Sequence, residues 1–392
     1  MNPMTANTTV INLGPQHPST HGVLRVILEL EGEIVLRAKP DIGFLHRGIE
    51  KLSEHSTYHQ IIVLTDRLDY LAAMSNNLAY VLTVEKLLSV DIPKRAQYVR
   101  VILAELQRIA SHLFWLGTHA HDLGAMTPLF YCLREREKIL DIFDSVAGSR
   151  LTPSFMRIGG LAADIDGSFI NRVRLFASDF SGRVDQYETL LTESPIWQAR
   201  TKGVGTMLKE EYINLGISGP LVRAAGINWD IRKSNPYSSY ADFDFAVPQG
   251  ENGDVYDRYL VRIREMRESA RIINQAVDGL PEGKYACFDS PAVFPEKKNV
   301  RENIASMIHH FNLVMDGIRP PAGEVYHSIE SPRGELGFYI VSDGSPKPLR
   351  LKVRPPSFVN LQGLSRMVQG RMLSDAVAII SSIDFVLAEV DR

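Results

Sequence analysis

The chain has little cysteine, since Cys132 and Cys287 are its two thiols in 392 residues. Two thiols far apart in sequence cannot build the disulfide framework of a small secreted domain. An iron–sulfur cluster usually takes four thiolates, so the chain by itself predicts none. We interpret both cysteines as buried or incidental thiols.

Long hydrophobic runs, a charge excess and nucleotide loops are also missing. Residues 70–84 carry no charge, but this stretch contains Ser75, Asn76 and Asn77 and is shorter than the roughly 20 apolar residues that span a bilayer. The 43 basic and 46 acidic side chains give a net charge of −3, so no nucleic-acid-binding face is predicted. No Gly-x-Gly-x-x-Gly loop predicts a dinucleotide site. The N-terminus lacks a basic-then-apolar signal, so we expect the chain to stay where it is made or to attach to a membrane through a partner.

Periodicity predicts an α+β, predominantly helical fold. Residues 1–12 are predicted to be a flexible tail, and residues 13–392 to form one domain. Alternation with a turn at Gly32 predicts a β-hairpin over residues 23–39, within an N-terminal segment of residues 13–40. A helical bundle is expected over about 48–315, with helices at 66–88, 93–116, 128–147, 167–191, 256–277 and 299–314. A β-rich segment is expected over about 320–392, with strands at 324–330, 336–342 and 349–353.

The eleven histidines do not predict a metal site. His55 and His59 have i, i+4 spacing, but the pair lacks the glutamate of His-Glu-x-x-His and an obvious third ligand. His21 differs because its loop contains Pro15 and Gly22, which restrict and then release the backbone. Such a loop can project an imidazole into a cavity, although a structural role is the commoner outcome on the residues alone.

Two segments have the spacing of metal-binding motifs but lack the metal-binding residues. Residues 67–72 (RLDYLA) have the spacing of Arg-x-Cys-Gly-x-Cys, and residues 384–392 (DFVLAEVDR) that of Asp-Pro-Cys-x-x-Cys-x-x-His. Both segments resemble the large subunit of nickel–iron hydrogenases. The positions of the four cysteines and the histidine are held by Asp69, Ala72, Val386, Glu389 and Arg392. Nickel and low-spin iron need soft thiolate donors, so the resemblance implies the hydrogenase frame without its metal.

Six ordered blocks narrow the family further. They are residues 14–25 (GPQHPSTHGVLR), 42–51 (IGFLHRGIEK), 67–71 (RLDYL), 119–128 (HAHDLGAMTP), 331–337 (SPRGELG) and 356–362 (PSFVNLQ). On these blocks the chain resembles the 49 kDa, or D, subunit of respiratory NADH:quinone oxidoreductase (complex I) from about residue 8 to its end. The resemblance implies a hydrogenase large-subunit-like helical bundle with peripheral β structure, in which both terminal segments converge on the vacated metal cavity.

The resemblance also implies which residues act on a quinone. Tyr70 and His21 match the donors to the two carbonyl oxygens of the headgroup, and both side chains can donate a proton. Asp122 matches the carboxylate that orients and recharges the histidine. His17 and Asp384 complete the implied quinone-binding set, and no metal ligand is implied.

Cofactors are expected in partner subunits, with none bound by this chain. The resemblance implies a [4Fe–4S] cluster in the adjacent B subunit and FMN elsewhere, with the C, I and membrane H subunits as further partners. Arg47 and Arg67 match residues that face the [4Fe–4S] cluster in the family. On the residues alone, we would instead expect each arginine to form an ion pair with a helix carboxylate. Thr152 stands where many relatives have a histidine, so a pH-linked cluster potential is not expected. The implied location is the cytoplasmic side of the bacterial inner membrane, peripheral and attached through partners.

The predicted function is therefore that of a core peripheral-arm subunit of proton-translocating NADH:quinone oxidoreductase, active only within the complex. One alternative is the metal-containing large subunit of a hydrogenase complex, against which the missing cysteines argue. Another is a non-catalytic scaffold, against which Tyr70 and His21 argue. The sequence does not decide whether the quinone is ubiquinone or menaquinone, which donor feeds electrons to the partner subunits, or how quinone reduction is coupled to proton pumping.

Overall fold

The computed structural model describes residues 8–392. The strands in this range are β1 (Thr8–Leu13), β2 (Arg25–Glu31), β3 (Ile34–Asp41), β4 (Met156–Arg157), β5 (Gly160–Leu161), β6 (Gly323–Ser331), β7 (Gly334–Ser342) and β8 (Arg350–Arg354).

Helices make up most of the regular structure. They are α1 (Ile49–Glu54), α2 (Tyr58–Thr65), α3 (Ala73–Leu88), α4 (Lys94–Asp122), α5 (Thr127–Ala147), α6 (Gly167–Tyr187), α7 (Pro195–Thr201), α8 (Lys209–Asn214), α9 (Pro220–Ala224), α10 (Ile231–Ser234), α11 (Val255–Asp278), α12 (Lys297–Glu302), α13 (Ile304–Met315), α14 (Pro356–Leu361), α15 (Leu364–Met367), α16 (Leu373–Ile383) and α17 (Leu387–Asp391). The predicted α+β, predominantly helical class is confirmed.

Helix α4 is the centre of the bundle. Its 29 residues pack against α3, α5, α11 and α16. Leu103, Leu106, Leu113 and Leu116 are fully buried on this helix, as are polar residues such as Glu105, so other elements enclose the helix on most of its sides. The last two turns of α4 carry Trp115 and other side chains towards the cavity described below.

Buried charges tie the bundle together around α4. Glu105 of α4 accepts hydrogen bonds from Arg232 at 3.1 Å and from Tyr240 at 2.6 Å, and Arg223 bonds both Glu265 and Glu330 at 2.7 Å. Each of these groups is at most 1% exposed. Because an unpaired buried charge is costly, the paired carboxylates and guanidiniums fix α4, α9, α10, α11 and β6 relative to one another.

Two antiparallel sheets flank the bundle. Strands β1, β2 and β3 form the first sheet, whose turn at Gly32 has φ of 60° and suits glycine. Val26, Leu28 and Leu30 of this sheet share one buried core cluster with Ile379 and Ile380 of α16. Strands β6, β7 and β8 form the second sheet, which packs on α3.

The structure corrects several predicted boundaries: α4 continues to Asp122, past the predicted end at residue 116, and α6 ends at Tyr187, before the predicted end at residue 191. Residues 8–12, predicted as part of a flexible tail, form strand β1 and pair with β2, while residues 1–7 lie outside the described residues. The helix predicted over 66–88 begins at Ala73, because Asp69 turns the chain by accepting from the Leu71 amide at 3.0 Å. The helix predicted over 299–314 is divided at Asn303, whose side chain caps α13 by accepting from the Ala305 amide at 2.9 Å.

The N- and C-terminal segments meet beside α4. Asp391 accepts hydrogen bonds from the amides of Gly43 at 2.9 Å and Leu45 at 2.8 Å, and Arg392 pairs with Glu50 at 3.0 Å. The segment after α16 is thereby held against the loop that follows β3. Across residues 8–392, none of the helices combines the length and apolar character needed to cross a bilayer.

Candidate functional site

A cavity of about 180 Å³ lies where the N-terminal loop, the segment before α3, the end of α4 and the segment after α16 come together. Its walls combine aromatic rings with a few polar groups, which is typical of a site for a small ring-shaped ligand. The lining residues are His21, Tyr70, Leu71, Phe114, Trp115, Thr118, Arg333, Ile380, Ser381, Asp384, Phe385 and Val386.

His21 reaches the cavity from a tightly folded loop. Its φ of 57° and that of 77° at Gly22 reverse the chain, and Thr20 holds the loop by donating to the Pro15 and His17 carbonyls at 3.1 and 2.9 Å. The His21 ring lies 5.0 Å from the Phe385 ring, centroid to centroid. Burial and then the charge of Arg333 lower the pKa of His21 below 6.5, so its imidazole is neutral at neutral pH.

Tyr70 enters the same cavity because α3 starts late. Residues 66–72 are non-helical, and the Leu71 carbonyl in this segment is held by Gln107 of α4 at 2.7 Å. The Tyr70 side chain is 43% exposed and borders the cavity. Burial and then the charge of Asp69 raise the pKa of Tyr70 above 10, while Arg333 and Arg47 oppose this shift. The phenol therefore keeps its proton and can donate a hydrogen bond.

Asp122 and His17 are close to the cavity but do not line it. Asp122 ends α4 and interacts with the hydroxyls of Ser381 and Ser19 and with the charges of His121 and His17. Burial raises the pKa of Asp122, and His17 accepts from the Ser19 amide at 3.2 Å. Within residues 8–392, His21 is not a hydrogen-bond partner of Asp122. The carboxylate predicted to orient His21 contacts the cavity wall at Ser381 instead.

A buried ion cluster forms the polar wall. Arg333 donates to both Asp69 and Asp384, the latter at 3.1 Å, and also to the Asp384 carbonyl at 2.9 Å. Asp384 has φ of 58°, and its Oδ2 is buried with no hydrogen-bond partner in residues 8–392. Burial, partly offset by Arg333 and Arg262, raises the pKa of Asp384 to about 6. Arg262 lies 4.0 Å over the Trp115 ring and connects this wall to α11.

The four positions that hold cysteine in the hydrogenase pattern come together here. Asp69, Ala72, Val386 and Glu389 are all buried. Glu389 bonds the Ser357 hydroxyl at 2.7 Å, and Arg333 lies between the two carboxyl positions in charge contact with both. In the described range no three histidine, cysteine or acidic side chains are arranged to hold a metal ion. A guanidinium and its carboxylates thus occupy the region where the pattern has a thiolate-bound metal.

Arg47 and Arg67 lie on the exposed side of Tyr70. Arg47 donates to the Arg67 carbonyl at 2.6 Å and to the Ala388 carbonyl at 3.2 Å, and Arg67 donates to the Val63 carbonyl at 2.7 Å. Neither guanidinium has a salt bridge within residues 8–392, so the helix ion pairs considered from the sequence are not formed. Burial and then the neighbouring Arg67 charge lower the pKa of Arg47. Two cations therefore face outwards from the cavity.

Sequence reasoning missed part of the wall. Arg333, Trp115 and Phe385 line the cavity together with the expected His21 and Tyr70. Arg333 lies between Pro332 and Gly334 in the turn that joins β6 and β7, two strands whose apolar side chains are buried. A lone cation at such a turn could have been recognised in the sequence as a candidate site residue. Nothing in the sequence around Trp115 or Phe385 separates these side chains from ordinary core residues.

Comparisons with known proteins agree on one family. A family model described as "Respiratory-chain NADH dehydrogenase, 49 Kd subunit" matches residues 122–392. A protein of Geotalea uraniireducens (strain Rf4), named as the D subunit of NADH-quinone oxidoreductase, is 56% identical over 97% of this chain and 98% of its own length. A protein of Chloroflexus aurantiacus, named as the second D subunit of that enzyme, is 55% identical over 98% of this chain and 94% of its own length.

These matches first define the class, a subunit of a respiratory NADH dehydrogenase. Within that class, the chain belongs to the 49 kDa subunit family, whose members from Geobacter sulfurreducens and other bacteria are named as D subunits of NADH-quinone oxidoreductase. The family predicted from the six sequence blocks is thereby confirmed.

Proposed function

We propose that this chain is the core peripheral-arm subunit of a proton-translocating NADH:quinone oxidoreductase and forms most of the pocket for the quinone headgroup. The observation that carries the proposal is the meeting of His21 and Tyr70 on one aromatic-walled cavity. Family membership supports the same reaction, because the relatives are named for it.

The two donors suit a quinone because a quinone ring presents two carbonyl oxygens. Burial keeps Tyr70 protonated and His21 neutral, so each can donate one hydrogen bond without adding charge to the cavity. Phe114, Trp115 and Phe385 offer flat apolar surfaces against which the ring can stack. In this arrangement Tyr70 gives a proton to one quinone oxygen and His21 hydrogen-bonds the other. Asp384 borders the headgroup, and His17 lies outside the lining of the cavity.

Asp122 is assigned an indirect role. Its contacts with Ser381 and Ser19, and the charges of His17 and His121 around it, support a carboxyl group that fixes the cavity wall and the His21 loop. Such a group can recharge His21 through the neighbouring hydroxyls and water.

Electrons must come from outside this chain, and we assign their source to a [4Fe–4S] cluster in an adjacent subunit, fed from FMN elsewhere in the complex. Arg47 and Arg67 face outwards without salt bridges in the described range, which supports a position opposite that cluster. A fixed cation near a cluster favours its reduced form. Quinone reduction therefore requires the assembled complex.

Exposed apolar side chains on α13 support the proposal that this helix is buried against a partner subunit. Ile304, Met307, Ile308 and Phe311 of α13 are each at least half exposed and recur at helical spacing. Such a stripe on a soluble chain marks an interaction site. We assign the partners as the B, C, I and membrane H subunits, and the location as the cytoplasmic side of the bacterial inner membrane.

The test is Tyr70→Phe in the assembled complex. Phenylalanine keeps the ring and removes the donor, and losing one such hydrogen bond costs about 1–3 kcal/mol, which corresponds to roughly 5- to 150-fold in quinone turnover. NADH oxidation by a hydrophilic acceptor at the flavin should be unchanged. His21→Ala should be milder if water replaces the imidazole.

Tyr339→Phe is the matched control, because the Tyr339 hydroxyl bonds Glu324 on the exposed second sheet at 2.5 Å, away from the cavity. Near-normal quinone turnover in Tyr70→Phe, with normal assembly, would remove the tyrosine from the reaction.

A further inference from the structure

Three carboxyl side chains surround one guanidinium behind Tyr70. Asp69 comes from the segment before α3, whereas Asp384 and Glu389 both come from the segment after α16, and all three are at most 7% exposed. Arg333 forms salt bridges with Asp69 and Asp384. Glu389 has none in the described range, and its side chain instead accepts a hydrogen bond from the Ser357 hydroxyl at 2.7 Å. Glu389 is therefore the carboxyl with the least direct neutralisation.

The surrounding elements add little positive charge to compensate. The charged and titratable groups that face this cluster are Tyr70 from the segment before α3, His21 from the N-terminal loop, Arg333 from the β6–β7 turn and Arg262 from α11. Arg47 bonds the Ala388 carbonyl but faces outwards, and its charge is not among the main ones that act on Glu389 or Asp384. Arg262 is shared with Glu265, and burial lowers the pKa of Arg262 to about 10. Helix α14 contributes Ser357, which is uncharged.

Charge balance then requires a proton. With all three carboxyls ionised, the cluster would hold three negative charges against the full charge of Arg333 and a share of Arg262. Excess charge of one sign is expensive in a buried site, so one carboxyl stays protonated. Burial, and then the charge of Asp69, raise the pKa of Glu389 to about 8, above that of Asp384 at about 6. The proton resides on Glu389 at neutral pH.

We propose that Asp69, Asp384 and Glu389 form a proton-holding site at the wall of the cavity, which keeps one exchangeable carboxyl proton and returns a proton to Tyr70 during quinone reduction. This rests on the proposed quinone function. Glu389 does not line the cavity, which Val386, Asp384 and Arg333 do, so it acts through Tyr70 as a residue that supplies a proton and does not touch the quinone.

The step balances with the electrons that the complex supplies. The Tyr70 O–H bond breaks as its proton joins one quinone oxygen, which leaves a phenolate that the Arg333 charge stabilises. The Glu389 O–H bond then breaks, and its proton restores the phenol by way of Asp69 and water, because the charge of Asp69 acts on both Glu389 and Tyr70. The Glu389 carboxylate takes up a proton from water before the next turnover. The second proton reaches the other quinone oxygen from bulk water on the His21 side, where the neutral imidazole holds that oxygen by a hydrogen bond and keeps its own proton.

The experiment uses Glu389→Gln in the assembled complex. Glutamine keeps the size and a hydrogen bond to Ser357 but cannot release a proton. Infrared difference spectra of the oxidised complex across a pH titration should contain a protonated-carboxyl C=O band that is lost near pH 8 in the wild type and absent in the variant. This readout does not depend on turnover, so it tests the proton site even if Tyr70→Phe were to disprove the quinone function.

Turnover gives the second readout. Wild-type quinone reduction should fall as the pH rises through about 8, because Glu389 loses the proton it would supply. In Glu389→Gln the fall in turnover above about pH 8 should disappear, and kcat should be lower by on the order of tenfold with KM unchanged. This loss is smaller than that expected for an acid that transfers its proton directly to the substrate, because water can substitute for Glu389. Glu135→Gln, at a buried glutamate paired with Arg134 and Lys138 on α5, is the control.

The proposal fails if the titrating band persists in Glu389→Gln or if the high-pH limb is unchanged. If the glutamine variant does not assemble, Glu389→Asp replaces it. Aspartate keeps a titrating group but shortens its reach, so the band should shift and remain, whereas an unshifted band would overturn the assignment.

Discussion

Replacing Arg333 by methionine is the most direct test of the buried cluster. The guanidinium donates three hydrogen bonds, to the Asp69 carboxylate, the Asp384 carboxylate and the Asp384 carbonyl. Methionine keeps an unbranched, flexible apolar stem, is shorter than arginine, and removes the charge with all three donors. Asp69 and Asp384 would then be buried beside each other without a direct cationic partner.

The expected loss of stability is large and depends on pH. Removing one partner of a buried ion pair costs about 3–5 kcal/mol. The carboxyls can recover part of this by binding protons, because without Arg333 their folded-state pKa values rise further above the unfolded value near 3.9. The pKa of Asp384 is already raised to about 6. A carboxyl with a raised folded pKa loses stability as the pH rises from the unfolded pKa to the folded one, so the variant should be weaker at pH 8 than at pH 6.

The assay is thermal inactivation of quinone reduction in membranes at pH 6 and pH 8. Each kcal/mol moves the midpoint by about 2–4 °C in a domain of 150–250 residues, and this longer chain should respond somewhat less. Arg333→Met should therefore lower the midpoint by several degrees, with the larger drop at pH 8. Arg150→Met is the control, because Arg150 also pairs with two carboxylates, Glu137 and Asp141, but at the exposed surface of α5. A midpoint equal to that of the control at both pH values would refute the reasoning.

Two further predictions concern the sides of the cavity. Arg67→Ala should lower the reduction potential of the [4Fe–4S] cluster proposed in the adjacent subunit, because a nearby cation favours the added electron, and its electron paramagnetic resonance signal at fixed potential should weaken. Arg174→Ala, at an exposed pair with Asp278, should leave that signal unchanged. An unchanged signal in both variants would make Arg67 structural. Thr118→Phe should raise the KM for quinone by roughly tenfold or more, because the new ring would fill much of the 180 Å³ cavity. Activity at the flavin site should be retained. Thr189→Phe, at an exposed position, is the control, and an unchanged KM in Thr118→Phe would argue against this cavity as the headgroup site.

The long helices were predictable because their apolar periodicity is local. The predicted 128–147 and 256–277 match α5 (Thr127–Ala147) and α11 (Val255–Asp278) within a residue at each end. The hairpin turn at Gly32 was predictable for the same reason, since alternation and a glycine mark it. These elements need no distant partner to be recognised.

The late start of α3 was not predictable from local sequence. Residues 66–72 continue an apolar pattern, and the propensity of Leu68 to Ala72 does not oppose a helix. The chain turns because Asp69 is bound by Arg333, 264 residues away in sequence, and by its own neighbouring amides. Interactions at such separation are set by tertiary structure, so periodicity cannot reveal them. The same holds for Asp122, for which the family resemblance implied a contact with the histidine but not the contacts with Ser19 and Ser381.

The cluster also explains how a hydrogenase-like frame can lack its metal and still keep a polar cavity. Two of the four cysteine positions hold carboxyls, Asp69 and Glu389, and the other two hold the apolar residues Ala72 and Val386. Losing a dication from between buried anions would leave uncompensated charge, which a protein neutralises by protonation or by a new cation. Arg333 supplies one positive charge here, and in our proposal a proton on Glu389 removes one negative charge. A group that balances charge by holding a proton can also release it, which is what the proposed reduction of a quinone at this cavity would require of the cluster.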